Sequence, residues 1–264
     1  MHDSSPQESG ATPALEPIAM VSLEAGRMMM QAGASGRKVE EIVELVARGL
    51  QAERVEVRVS YASLSTTIGI GGSGITRMRK VPPPGVNKQL EQELWHLAGR
   101  VSQGGLTRIE TSAELARLAA ETPRHPPALV AVAVGLACAA FGRLLGLDWP
   151  ATGPVFLGSA AAQYLRHILL SRHVNAFICA TPVAFLSALI AGLGAHWAGS
   201  ETADAAMVAS ILLLVPGVPA INAQTDILEG RPTLGTARAM TVLMTMVFAA
   251  AGLWMGKATL DFWF

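Results

Sequence analysis

Two polar side chains four residues apart, Asn222 and Asp226, stand directly behind a pair of prolines in an apolar stretch that runs from Leu212. Four-residue spacing puts an amide and a carboxylate on one face of a helix. Pro216 and Pro219 remove two backbone donors and Gly217 adds freedom, so the residues predict a helix broken here and restarting after Pro219. At membrane depth a break is tolerated only where neighbouring protein or a water-filled cavity satisfies the freed groups. A restarting half-helix also offers N-terminal amides, with partial positive charge, to an anion. The expected chemistry is recognition of a carboxylate by Pro216, Gly217, Pro219 and Asn222, with Asp226 as the titrating or coupling group. Arg143, at the outer end of an earlier apolar stretch, is a further carboxylate partner. A plain packing kink, with Asp226 near the cytoplasmic end of its helix, is the alternative.

These residues lie in the apolar part of a divided chain. It has 264 residues, 20 basic and 20 acidic, and most of the charges precede Pro123. A hydrophobic content of 51 % and a mean hydropathy of +0.39 belong to a membrane protein. Zero net charge gives no general attraction to nucleic acid. Five apolar stretches follow Pro123: 127–146, 151–170, 176–197, 205–228 and 234–256, each near the roughly 20 residues a helix needs to cross the hydrocarbon core. Arg166 and Arg172 flank the second connection and Arg231 and Arg238 the fourth, whereas the third (GSETADA) carries only acids. Short basic connections stay in the cytoplasm, which places the N-terminus inside and the C-terminus outside. Arg166 and Arg238 themselves read as snorkelling to the headgroups.

The first half predicts a small α+β domain. Residues 1–17 are polar and Pro-punctuated, without the basic start and apolar run of a signal peptide, and read as a disordered tail. A helix over 18–31 ends at Gly33. Ser35 can cap a second, carrying Val39, Ile42, Val43, Val46 and Leu50 on one stripe. Val55, Val57 and Val59 alternate with polar residues as one strand, Ile68 and Ile70 mark a second, and 75–81 a third, with a Gly-rich turn at 71–74. A helix carrying Leu90, Leu94, Leu97 and Val101 follows, then a short one for which Thr111 and Glu114 have capping-box spacing. The predicted fold is thus a membrane α-helical bundle of about five transmembrane helices (125–264), preceded by a small cytoplasmic α+β domain (18–124).

Several motifs carry less than their letters suggest. Residues 69–74 spell G-x-G-x-x-G, but strand-like and Pro-broken sequence follows where a dinucleotide site needs a helix. Cys138 and Cys179 fit no metal spacing, and the six histidines form no H-E-x-x-H, so no cofactor is expected. An intramembrane hydrolase would need a nucleophile beside a base; Ser159, Ser187 and Ser210 lie in apolar stretches without one. A membrane-anchored scaffold or regulatory protein with a cytoplasmic sensing domain is a second reading, although an anchor needs neither five spans nor a broken one.

The order of parts resembles the threonine/serine exporter family in its split, two-component form. The resemblance runs over about 18–256. It is carried by Gly33-Ala34-Ser35-Gly36-Arg37-Lys38-Val39-Glu40, by Thr76-Arg77, by Gly135-Leu136-Ala137-Cys138-Ala139-Ala140-Phe141, and above all by Leu214-Val215-Pro216-Gly217-Val218-Pro219 with Ile221-Asn222-Ala223 and Asp226. Lys38 stands where the family more usually has an apolar or aromatic residue. The resemblance implies a bacterial inner-membrane, multi-pass exporter subunit for small carboxylate metabolites: threonine and serine for fused forms, succinate-type dicarboxylates for a split form. It implies a smaller all-membrane subunit as partner, a lipid bilayer around both, alternating access, room for a higher oligomer, and no enzymatic activity. It also marks Ser35, Arg37, Glu40, Thr76 and Arg77 as a cytoplasmic-domain motif.

Overall fold

The computed structural model describes residues 12–70, 72–121 and 125–263. Residues 1–11 of the expected tail and Gly71 of the expected turn lie outside the described residues. The chain folds as two compact units. One comprises the described residues up to 121 together with Val218–Ala239; the other comprises 125–217 and 240–263. The units do not follow the division of charge along the sequence, because Val218–Ala239 belongs with the first.

In the first unit, α1 (Thr12–Gln31) and α2 (Gly36–Gly49) lead into β1 (Arg54–Val59), β2 (Ser63–Ile70) and β3 (Ser73–Lys80), then α3 (Lys88–Ser102) and α4 (Arg108–Glu121). The strands form an antiparallel sheet in the order β1-β2-β3, with Val55 opposite Ile68 and Ile68 opposite Ile75. One sheet face contributes Leu64 and Ile68 to a core shared with Leu23, Met29 and Met30 of α1, Val39, Ile42, Val43 and Val46 of α2, and Leu94 and Val101 of α3. Two boundaries differ from expectation. Residues 12–17 belong to α1 rather than to a tail, because Leu15 is fully buried and extends the apolar stripe by a turn. The capping box of α4 is Thr107 with Glu110, one turn before Thr111: the Thr107 amide and hydroxyl both donate to the Glu110 carboxylate, at 2.8 and 2.7 Å.

The second unit begins with α5 (Pro127–Leu144), α6 (Trp149–Ser171) and α7 (Ala176–Trp197). Next come α8 (Ala203–Ser210), a 3-10 turn over Ile211–Leu214, and a break. α9 (Gly217–Leu228) lies almost wholly in the first unit, and α10 (Pro232–Trp263) runs through both. Three helices, α5, α7 and α10, are long and apolar enough to cross a membrane, or up to four if α8 and α9 make one bent span. Five were expected. α6 has the length, but Gln163, Tyr164, Arg166 and His167 dilute its apolar content.

The chain is interrupted at Val215–Pro216, where Val215 is extended (φ −66°, ψ 114°). α9 restarts at Gly217, so Pro219 sits in its first turn, where a missing N–H costs nothing. Only Pro216 therefore marks the break. Upstream, the last turn tightens into 3-10 geometry over Ile211–Leu214. Ser159 of α6 and Ser187 of α7 each donate a hydroxyl hydrogen bond to the Ser210 carbonyl, both at 2.9 Å, and all three serines are fully buried. These hydroxyls satisfy backbone at the interruption, and none is paired with a base.

Candidate functional site

α9 turns one polar face inward. Asp226 is fully buried, while Ile221, Ile227 and Leu228 on its other sides are exposed. What Asp226 meets is the turn between α1 and α2. Its Oδ1 accepts the backbone N–H of Gly36, the first residue of α2, at 2.7 Å. Its Oδ2 accepts from Arg238 Nη1 at 2.5 Å. One turn earlier, the Asn222 amide donates to the Gly33 carbonyl at 2.7 Å. Arg238, on α10, is buried as well and donates through Nη2 to the Ala34 carbonyl at 3.0 Å. A carboxylate, a guanidinium and an amide thus converge on residues 33–36.

The local sequence explains why that turn fits. Gly33 holds φ +87°, a left-handed conformation that favours glycine, and this ends α1. Gly36 allows close approach: a methyl there would stand 2.8 Å from Leu234 Cδ2 and 3.0 Å from Asp226 Oδ1. Ser35 occupies the N-cap of α2 with extended backbone but makes no capping bond through its hydroxyl. The cap is supplied from far along the chain by Asp226, a charge suited to the positive end of a helix.

Two further ion pairs flank this centre. Arg231, in the connection between α9 and α10, grips Glu40 with two guanidinium bonds, one of them Nε to Oε1 at 2.9 Å. The Glu40 carboxylate holds the Arg231 guanidinium above its ordinary pKa. Arg37 reaches Glu229 at 3.0 Å on a more exposed edge. Lys38 pairs with buried Glu91 of α3 at 2.6 Å, and Lys88 reaches the same carboxylate at 2.5 Å.

The residues singled out in the sequence therefore divide. Asn222, Asp226, Ser35, Arg37 and Glu40 come together. Thr76 and Arg77 do not join them. Thr76 shares a hydroxyl hydrogen bond of 2.8 Å with Thr67, and Arg77 pairs with Glu16 of α1 at 2.9 Å. Adjacent strand residues face opposite ways, which separates the two. Pro216, Gly217 and Pro219 form the break and the start of α9. Arg143 belongs to the second unit, where it lies 4.3 Å over the Trp149 ring and donates to the Leu147 carbonyl. Sequence reasoning missed Arg238, taken for a snorkelling side chain. Its signal was present: Asp226 and Arg238 are opposite charges in consecutive apolar stretches.

Comparison with known proteins gives the context of this arrangement. Residues 20–260 match the family described as "Putative threonine/serine exporter". The protein named "Probable succinate transporter subunit YjjP" from Escherichia coli (strain K12) is 31% identical over 231 residues, 87% of this chain and 90% of that protein. Its namesake from Klebsiella aerogenes is also 31% identical over 231 residues, covering 87% and 89%. No solved structure matches. With nearly its whole length inside the family match, and with relatives at this identity covered almost end to end, the chain belongs to the threonine/serine exporter family.

Proposed function

We propose that this chain is the larger subunit of a two-component exporter of small carboxylate metabolites in the bacterial inner membrane, working by alternating access beside a smaller all-membrane subunit. The cargo is an amino acid such as threonine or serine, or a succinate-type dicarboxylate. Residues 18–124 form its cytoplasmic α+β domain, with which Val218–Ala239 folds, and the remainder of 125–264 its membrane domain. α5, α6, α7, the interrupted α8–α9 pair and α10 would make five crossings, with the C-terminus outside. α6 enters the count as an inner helix, its Ala151, Val155, Gly158 and Ala162 buried. The basic connections around Arg172 and Arg231 support this orientation. The subunit wording in the relatives' names supports a partner.

One observation carries the reading. An apolar helix is interrupted at Val215–Pro216, and the half that follows turns Asn222 and Asp226 to one face. Interrupted helices with polar groups on one face are a way transporters build sites, and here that face meets the Gly33–Gly36 turn. Pro216, Gly217 and Pro219 shape the site, Asn222 contributes an amide donor to the cargo carboxylate, and Asp226 couples its passage to a gradient. Arg143 is kept as the further carboxylate partner; it lies over the Trp149 ring and donates to the Leu147 carbonyl.

The test is efflux of serine, threonine and succinate from loaded cells, with and without the smaller subunit. Asp226→Asn should insert normally and lose export. Export at the wild-type rate by the inserted variant would remove Asp226 from the mechanism.

A further inference from the structure

The polar face of α9 and α10 is fully occupied, and its occupant is backbone. Gly33 and Ala34 supply the carbonyls that Asn222 and Arg238 bind, and Gly36 supplies the N–H that Asp226 binds. Two donors and one acceptor are thus satisfied by a neutral turn. We propose that the Gly33–Gly36 turn is an internal plug standing in for cargo, and that Arg238 is a further cargo-binding residue beneath it, alongside Asn222. The inference rests on the transport reading above.

The chemistry favours exchange. A carboxylate is a stronger acceptor than a peptide carbonyl when the donor is a guanidinium, because the bond becomes charge-assisted on both sides. Cargo carrying that group therefore competes well with Ala34 for Arg238. Two clamps hold α2 behind the turn, the part-buried Arg231–Glu40 pair and an outer one. Ser35 makes no capping bond through its hydroxyl, and the Gly36 amide donates to Asp226. The outer clamp, Arg37 to Glu229, has an arginine side chain 63% exposed, and such pairs contribute little. Once the turn withdraws, the face loses a peptide lid and keeps a buried guanidinium, an amide and a carboxylate.

The full chain in lipid nanodiscs tests this by hydrogen exchange of the peptide containing Gly36, with succinate or L-serine as probe. Without probe the Gly36 amide should be protected; saturating probe should speed its exchange about tenfold. Gly36→Ala, whose methyl meets Leu234 and Asp226 Oδ1, should unseat the turn. If the plug fills the face about nine-tenths of the time, that variant binds probe about tenfold more tightly. Arg238→Lys should bind more weakly than the wild type. Probe that binds the wild type while Gly36 protection stays unchanged or deepens overturns the plug and leaves the transport reading standing. A folded Gly36→Ala that binds no tighter does the same. If neither the wild type nor Gly36→Ala binds either probe, both readings fall together.

Discussion

Replacing Asp226 by Asn keeps an oxygen for the Gly36 amide but removes the charge and the oxygen that accepts from Arg238. Arg238 is then left buried, at 5% exposure, with the neutral Ala34 carbonyl as its remaining partner among the bonds described above. Removing one member of a buried ion pair costs about 3–5 kcal/mol, because the survivor's charge is uncompensated. For a chain of this size that corresponds to a fall in Tm of roughly 6–20 °C. Arg238→Gln should cost a similar amount for the converse reason, leaving the Asp226 carboxylate with the Gly36 N–H alone. The double variant leaves no buried charge, so its cost should be well below the sum of the two. A coupling energy of about 1–3 kcal/mol is expected from contacting residues. Thermal unfolding of the purified chain in detergent, run on all four proteins at one pH, measures it. Single-variant effects that simply add, within about 0.5 kcal/mol, would refute the pairing of Asp226 with Arg238.

Three other outcomes follow from the geometry. Ser159→Ala and Ser187→Ala should each cost about 0.5–1.5 kcal/mol, since each removes one hydroxyl bond to the Ser210 carbonyl, and the double variant should cost more than either, read from melting in detergent. Burial acts to raise the pKa of Glu91, but Lys38 and Lys88 outweigh it and hold the carboxyl below its ordinary value. A depressed folded pKa stabilises above the unfolded value, near about 4.3, and that contribution is lost as pH falls through the folded one; Glu91→Gln should therefore flatten the acid limb of a stability profile. A methyl on Gly252 would run into the Thr181 backbone carbonyl, whereas one on Gly256 meets the Ala188 methyl at 3.1 Å, so Gly252→Ala should lower Tm more than Gly256→Ala.

How much of this was legible depended on whether the governing interaction was local. The interruption near Pro216 was readable because proline acts on its own turn, and the three strands because alternation is a property of six or eight residues. The spacing of Asn222 and Asp226 correctly put them on one face. What they face was not readable: the Gly36 amide lies 190 residues away in the chain. Local pattern was also degenerate in places. Thr107-Arg108-Ile109-Glu110 and Thr111-Ser112-Ala113-Glu114 have the same capping spacing, and the structure uses the first. Leu15 lay hidden in a polar-looking stretch, and only the core it enters reveals that α1 already begins at Thr12. The converse error befell α6, where length was legible and the diluting effect of Gln163 to His167 was underrated.

At 32 residues and about 1.5 Å each, α10 is roughly 48 Å long, against a hydrocarbon layer of about 30 Å. If α10 is one of the crossings proposed above, some 12 residues protrude or are absorbed by tilt. Arg238 is the seventh residue of that rod, within the surplus at one end, while Trp254, Phe262 and Trp263 are suited to anchor the other among the headgroups. Lipids with longer or shorter tails would change how steeply the rod leans, and with it the height at which the guanidinium rides. On the transport reading, bilayer thickness would then bear on the position of this buried pair rather than being a passive backdrop.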